Sequence, residues 1–281
     1  MLGGYRIEIK EVAPGVLRIN LSSRLTRGLG FPVSCYLLED LLIDTGFVKT
    51  SHLLVDFLRG RQISAVACTH HHEDHAGACG LVARQHAVPV FLNQPESRFS
   101  EGLSAMRPYR LVYWGRPAPY QPEPMPPELK TRGANLQCLP TPGHSATHCV
   151  FFQPENKILF SGDLFVAPGA TAILLYENPY QHIASLRRAA ALHPALMLSG
   201  HGLELKDPTP LLLAKAEAIE KAAQMAVALH RQGLSPKKIV TEVFSNGWWR
   251  DRAYALLTAG EFSRLNFVKA AINLQPGQRQ D

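Results

Sequence analysis

The chain has 281 residues, of which 46% are apolar and 19% charged, and a net charge of +6. That balance suits a globular protein and excludes wholesale disorder, and the length predicts one large domain plus an appendage. No apolar run approaches the roughly 18 residues that span a bilayer, and the N-terminal MLGGYRIEIKEV has no apolar signal-peptide core, so a cytoplasmic location is expected, with no membrane partner.

The first ninety residues read as strands followed by βα units. YRIEIKEV and GVLRINL alternate around the Pro14-Gly15 turn as a hairpin, and SCYLLED and LLIDTG form the next pair. Thr50 or Ser51 is a candidate cap for a helix through HLLVDFLRG that Gly60 ends. ISAVACTH is a nearly all-apolar strand of the buried type, followed by a helix from Ala76 to His86 and the strand VPVFLN. From Gln94 to Gly133 the pattern breaks. Residues 116–127 alone hold six prolines, too many for a helix or a central strand, and the stretch reads as a long surface excursion.

Strands return at LQCLPT, HCVFFQ and KILFSGD. A helix is expected over Tyr180 to Leu192, and a last buried strand, ALMLSGHG, ends in Gly-His-Gly. After Asp207-Pro208 the composition becomes that of strong helix formers, with helices expected over 209–231, 236–244 and 261–273 and no strand. The predicted organisation is a main domain over 1–207 and a helical C-terminal unit over 208–281. From Lys206 onward 11 Lys and Arg stand against 7 Asp and Glu. That excess suits an anionic substrate or a phosphate backbone, and solvated helix faces give the same figure.

Five cysteines without a CxxC pair read as reduced thiols. Twelve histidines are the unusual count. Thr69-His70-His71-His72-Glu73-Asp74-His75-Ala76-Gly77 follows the apolar strand directly and puts four imidazoles and two carboxylates into six residues. On an extended segment His70 and His72 point to one side and His71 to the other, and a turn can bring Asp74 and His75 to the same cavity. Imidazole suits zinc, iron and manganese, and Asp adds an anionic oxygen. His144 in TPGHSATH, Asp163 in FSGDLF and His201 in LSGHG lie at strand ends beside glycines. Together these seven residues are enough for two metals sharing one carboxylate. His148 is read as either a neighbour of the site or a core residue.

The run HHHEDH, with His144, Asp163 and His201 following in order, resembles the metallo-β-lactamase superfamily over about residues 15 to 205. The resemblance implies an α/β fold, an αββα sandwich, here with a C-terminal α-helical appendage. It implies one divalent metal held by His70, His72 and His144, a second by Asp74, His75 and His201, and Asp163 as the bridge; zinc is expected, with iron or manganese as alternatives. Asp44 in LLIDTG matches a family aspartate that supports the ligand loop. The implied chemistry is hydrolysis by metal-bound hydroxide, with Asp74 also relaying a proton and His201 or a metal steadying the developing oxyanion.

TPGHSATH, SGDLF and the helical tail are most similar to the glyoxalase-II-type branch, which implies a small thioester or ester as substrate. Val166 stands where lactonase members carry tyrosine. The tail, with LSPKKIVTEVF, also resembles that of β-lactamase-like endoribonucleases, which makes single-stranded RNA the second candidate, and a mononuclear iron persulfide dioxygenase is the third. A homodimer is compatible with the sequence. Arg110 and Trp114, within the excursion, are candidate substrate contacts.

Overall fold

The structure is a computed structural model that describes residues 4–28, 31–94, 106–244 and 248–274. The chain forms two compact units: Met1–Pro140 with Thr147–Val166 and Ala195–Lys206, and Thr141–Ala146 with Ala167–Pro194 and Asp207–Asp281. The second unit is thus built from three stretches and not from the tail alone.

The first unit holds two sheets. One has seven strands in chain order, β1 (Arg6–Ala13), β2 (Val16–Ser22), β3 (Val33–Leu38), β4 (Leu41–Ile43), β5 (Ala65–Cys68), β6 (Val90–Leu92) and β7 (Glu123–Pro124). Pairing is antiparallel as far as β4 and parallel from there on. The other contains β8 (Glu128–Lys130), β9 (Asn135–Pro140), β10 (Cys149–Gln153), β11 (Ile158–Gly162), β13 (Leu196–Ser199) and β14 (Glu204–Lys206), ordered 14-13-11-10-9-8. Its one parallel pair is β11 with β13.

Strand alternation sorts the core into two layers. Tyr36 and Leu38 of β3, Leu41 and Ile43 of β4 and Ala65 and Ala67 of β5 face Leu136, Phe151, Ile158, Phe160 and Leu198 of the second sheet. The residues between them, Cys35, Leu37, Leu42, Val66 and Cys68, pack on the other side against Leu54 and Leu58 of α2 (Ser51–Leu58) and Cys79 and Val82 of α3 (Cys79–His86). Both faces of these strands are covered, so their sequences are nearly continuous apolar runs.

Three local expectations need correction. The helix expected from Ala76 begins at Cys79, because residues 72–77 are committed to turns: His75 and Ala76 donate their N–H groups to His72 O, and Gly77 donates to Gly46 O. The proline-rich excursion, whose residues 95–105 lie outside the described ones, contains α4 (Pro108–Tyr113) and supplies the edge strands β7 and β8; edges are where a strand tolerates proline. Thr50 does precede α2, but its hydroxyl donates back to Phe47 O and caps no helical N–H. A five-residue helix, α1 (Arg24–Gly28), lies between β2 and β3.

In the second unit, α5 (Pro179–Ala190) packs on the long α6 (Thr209–Arg231), which also meets α7 (Pro236–Val243) and α9 (Arg264–Asn273). The helix α8 (Trp248–Leu257) was not foreseen, nor was the pairing of β12 (Ile173–Leu174) with β15 (Phe262–Ser263), which puts a short strand into a region expected to have none. Asn178 caps α5, accepting from the N–H groups of Tyr180 and Gln181. Among the described residues no helix is long and apolar enough to cross a membrane.

Lys215, buried on α6, donates from Nζ to the carbonyl oxygens of Ala167 (2.5 Å) and Gly169 (3.2 Å). Burial lowers its pKa to about 8, against the opposing pull of the Glu177 carboxylate. A lysine whose folded-state pKa lies below the unfolded value of about 10.4 opposes folding while it is charged. The stability of the protein relative to a Lys215→Met variant should therefore be lowest below pH 8 and rise toward about pH 10.4. Urea unfolding of both proteins across that range checks this, and a pH-independent difference would contradict it.

Candidate metal centre

The candidate residues of the first unit meet where three strands of its two sheets end. The loop after β5 carries Thr69 to His75, the residue after β11 is Asp163, and β13 runs through Ser199 and Gly200 into His201. Backbone contacts tie these segments to one another and to neighbouring strands: Cys149 N–H donates to Thr69 O (2.8 Å), Gly200 N–H to Gly162 O (2.9 Å) and Ser34 N–H to Gly200 O (2.7 Å). The approach is too close for a side chain at two points. A Cβ on Gly200 would lie 2.3 Å from Cε1 of His75, and one on Gly162, whose φ is +47°, would lie 2.8 Å from the Thr69 side chain.

Asp44, just past β4, is the support beneath this loop. Its Oδ1 accepts the Thr69 N–H at 2.7 Å, and its Oδ2 accepts the Thr69 hydroxyl and Nδ1–H of His75, each at 2.8 Å. A carboxylate only accepts, so Nδ1 of His75 carries a proton toward Asp44 and Nε2 is the nitrogen left to face a metal. His201 is set in the same way, its Nδ1–H donating to Pro32 O at 2.9 Å. The two Nε2 atoms then converge on one oxygen, Oδ1 of Asp163, each at 3.2 Å. Asp74 Oδ2 lies 3.8 Å from His201 Nε2 and 3.9 Å from His75 Nε2. Next to them, His70 Nε2 and His72 Nδ1 are 2.9 Å apart.

The electrostatics of this cluster call for positive charge. Burial disfavours a charged His75, but the carboxylates of Asp163, Asp44 and Asp74 outweigh burial and hold it well above the usual imidazole range. His201 is raised for the same reasons, chiefly by Asp163 against burial. Burial pushes the Asp163 carboxyl up, yet His201 and His75 hold it well below the usual carboxylate range. His75 Nε2 is fully buried and makes no hydrogen bond among the described residues. A buried ring nitrogen that faces only carboxylate oxygens in this way fits a site where a cation is shared between them. The sets His70, His75, Asp163 and Asp74, His75, His201 each bring their ligand atoms within 4.8 Å of one another.

His144 belongs to the second unit, where its Nδ1 lies 3.2 Å from Glu177 Oε1. His71 turns to the Thr147 hydroxyl (2.8 Å), on the side that strand alternation assigns to it. His148 accepts the backbone N–H of Asp163 on Nε2 (3.1 Å) and so holds the main chain at that position. Phe31 lies against His201, ring centroids 3.9 Å apart. Sequence reasoning left His148 open and did not find Phe31 or Glu177, for which no local motif exists.

Both residues expected at a substrate pocket have packing partners in the first unit. Trp114 meets Phe47 edge-on at 5.2 Å. Arg110, on α4, is buried and pairs with the buried Glu73 at 2.7 Å. Removing one member of a buried pair leaves the other charge uncompensated, typically at a cost of about 3–5 kcal/mol. Arg110→Ala should accordingly lower the urea unfolding midpoint, and adding Glu73→Gln should recover part of the loss. A rise in KM with an unchanged midpoint would instead make Arg110 a substrate contact.

Comparison with known proteins bears on the family and the fold. The sequence model described as the metallo-beta-lactamase superfamily matches residues 28–201, more than half of the chain. The thioesterase pkgB of Emericella nidulans is 29% identical over 217 residues, covering 75% of this chain and 61% of its own length, so the chain spans about three fifths of that relative. A hydroxyacylglutathione hydrolase of Alkalilimnicola ehrlichii is 30% identical over 212 residues, covering 72% of this chain and 73% of its own. A solved metallo-beta-lactamase family protein from Thermus thermophilus superposes with a TM-score of 0.66 at 20% identity, over 93% of each chain. The fold expected from the motif is the fold found, with the C-terminal helices added. The chain belongs to the metallo-β-lactamase superfamily and is a metal-dependent hydrolase of that superfamily.

Proposed function

We propose that the chain hydrolyses a small thioester or ester at a centre of two divalent metal ions, zinc in the first instance. The observation that carries this reading is the buried Asp163 carboxylate, whose Oδ1 is approached at 3.2 Å by the Nε2 atoms of both His75 and His201. Asp163 also groups with His70 and His75, their ligand atoms within 4.8 Å of one another, and in this reading those two histidines hold different ions, which is what a bridging ligand requires. In this reading His70, His72 and His144 hold one ion, Asp74, His75 and His201 hold the other, and Asp163 serves both. When bound, such a pair polarises a carbonyl and brings the pKa of water toward neutrality.

The chain's own residues then have distinct tasks. Asp44 and Pro32 O keep the protons of His75 and His201 on Nδ1. His148 holds Asp163 by its backbone N–H. Asp74 is the proposed proton relay, because its Oδ2 is within 4 Å of two ring nitrogens and it is the carboxylate of the set not proposed as a bridge. The thioester preference rests on the thioesterase and the hydroxyacylglutathione hydrolase among the relatives.

Two measurements test the proposal. Elemental analysis should find close to two transition-metal ions per chain, and Asp163→Ala should lower occupancy of both sites; one iron per chain, or full loading of the variant, would overturn the dinuclear assignment. A panel of thioesters, esters, phosphodiesters and short RNA should show thioester turnover that Asp74→Asn reduces by roughly 10²–10⁴ in kcat. Salt-sensitive RNA cleavage with no ester turnover would overturn the substrate class.

A further inference from the structure

Glu177 is a buried carboxylate that none of the roles above uses. It lies in the turn between β12 and α5 and is 6% exposed. Its Oε1 accepts the Leu174 N–H at 3.0 Å and lies 3.2 Å from Nδ1 of His144. The stretch that carries His144 is clamped to the start of α5 by two further bonds: Asn178 N–H donates to Gly143 O (2.8 Å) and the Ser185 hydroxyl to Pro142 O (2.7 Å). Gly143 has a φ of +133°, and a Cβ there would lie 2.4 Å from the backbone nitrogen of His182. The loop is therefore pressed against the start of α5.

Placement of the proton follows from donor chemistry. A carboxylate can only accept, so Glu177 Oε1, 3.2 Å from His144 Nδ1, favours the tautomer with the proton on Nδ1 and the lone pair on Nε2. The same arrangement was reached for His75 through Asp44 and for His201 through Pro32 O. Lys215 supplies an opposite charge behind the carboxylate; the two residues, with His182 and Phe267, line a cavity of about 30 Å³, room enough for one water.

We infer that Glu177 is a positioning residue for His144, fixing its tautomer and ring orientation so that Nε2 is the ligating nitrogen. This rests on the proposed role of His144 as a metal ligand. An acceptor behind a ligating imidazole raises its basicity, and losing one typically costs about 10–100-fold in metal affinity.

The test compares Glu177→Gln and His144→Ala with the unchanged protein, using Zn²⁺ titrated against a chromophoric chelator, the visible absorption of the Co²⁺-loaded forms, and urea unfolding of the metal-free forms. Gln keeps an oxygen for the Leu174 N–H and His144 Nδ1 but loses the negative charge that raises the basicity of His144, so the metal-free unfolding midpoint should hold while metal binding weakens. One of the two Zn²⁺ ions should bind about 10–100-fold more weakly and the Co²⁺ spectrum should shift. His144→Ala should lose that ion outright. If His144→Ala binds both ions as the unchanged protein does, the ligand assignment fails and the inference with it. If His144→Ala loses an ion while Glu177→Gln binds within twofold of the unchanged protein, the inference alone is overturned. Weakened binding in Glu177→Gln with an equally destabilised metal-free form would also overturn it, making Glu177 a brace for the loop and nothing more.

Discussion

Asp44 carries a constraint on which the whole centre depends. It adopts a left-handed backbone conformation, φ +57°, which a non-glycine residue holds at a cost of about 1–3 kcal/mol. That conformation turns one carboxylate toward both ends of the ligand loop, the Thr69 N–H and hydroxyl on one side and His75 Nδ1 on the other. A loop of this composition has many ways to hydrogen-bond to itself. Tied at Thr69 and His75 by one buried anion, with Gly77 N–H bound to Gly46 O, it has few left. The conformational strain at one residue is offset by the order it imposes on several.

The second physical theme is the balance of buried charge. Asp44, Asp74 and Asp163 are all buried or nearly so, and isolated carboxylates in such surroundings are costly. Imidazoles meet part of the demand, which is why His75 and His201 are held above their usual range while Asp163 is held below its own. Divalent cations would meet the rest, and the same electrostatics that make the metal-free site costly would favour their binding. Around the rim the pattern repeats with fixed charges. Glu73, which sits between two ligand candidates in the sequence, is neutralised by Arg110 from α4, so the excursion of the chain secures the ligand loop.

Much of this was legible in the residues themselves. The apolar strand followed at once by His70-His71-His72-Glu73-Asp74-His75 puts His70, His72, Asp74 and His75 within reach of local reasoning, because alternation and one turn decide which side each faces. The strand runs and the helix over 209–231 were legible for the same reason: burial on two faces, or on one face with a period of 3.6, leaves a local pattern. The start of α3 was missed because tertiary hydrogen bonds hold residues 72–77 in turns against the propensity of Ala76 to Ala78. The edge strands β7 and β8 were missed because an edge demands little of its residues, and prolines are at home there.

What the sequence determined by itself is the inventory: the candidate ligand types, their order at strand ends, and the strands that carry them, the two-sheet arrangement having come from the resemblance to the superfamily. These follow from short-range periodicity and from the chemistry of imidazole and carboxylate. What only the tertiary structure decided is the pairing. That Asp44 serves Thr69 and His75, that Arg110 answers Glu73 from 37 positions away, and that Glu177 stands behind His144 from 33 positions away leaves no mark on the local pattern. A side chain is chosen at such a position by what the folded backbone brings within about 3 Å of it, and that distance is set by how the strand ends meet.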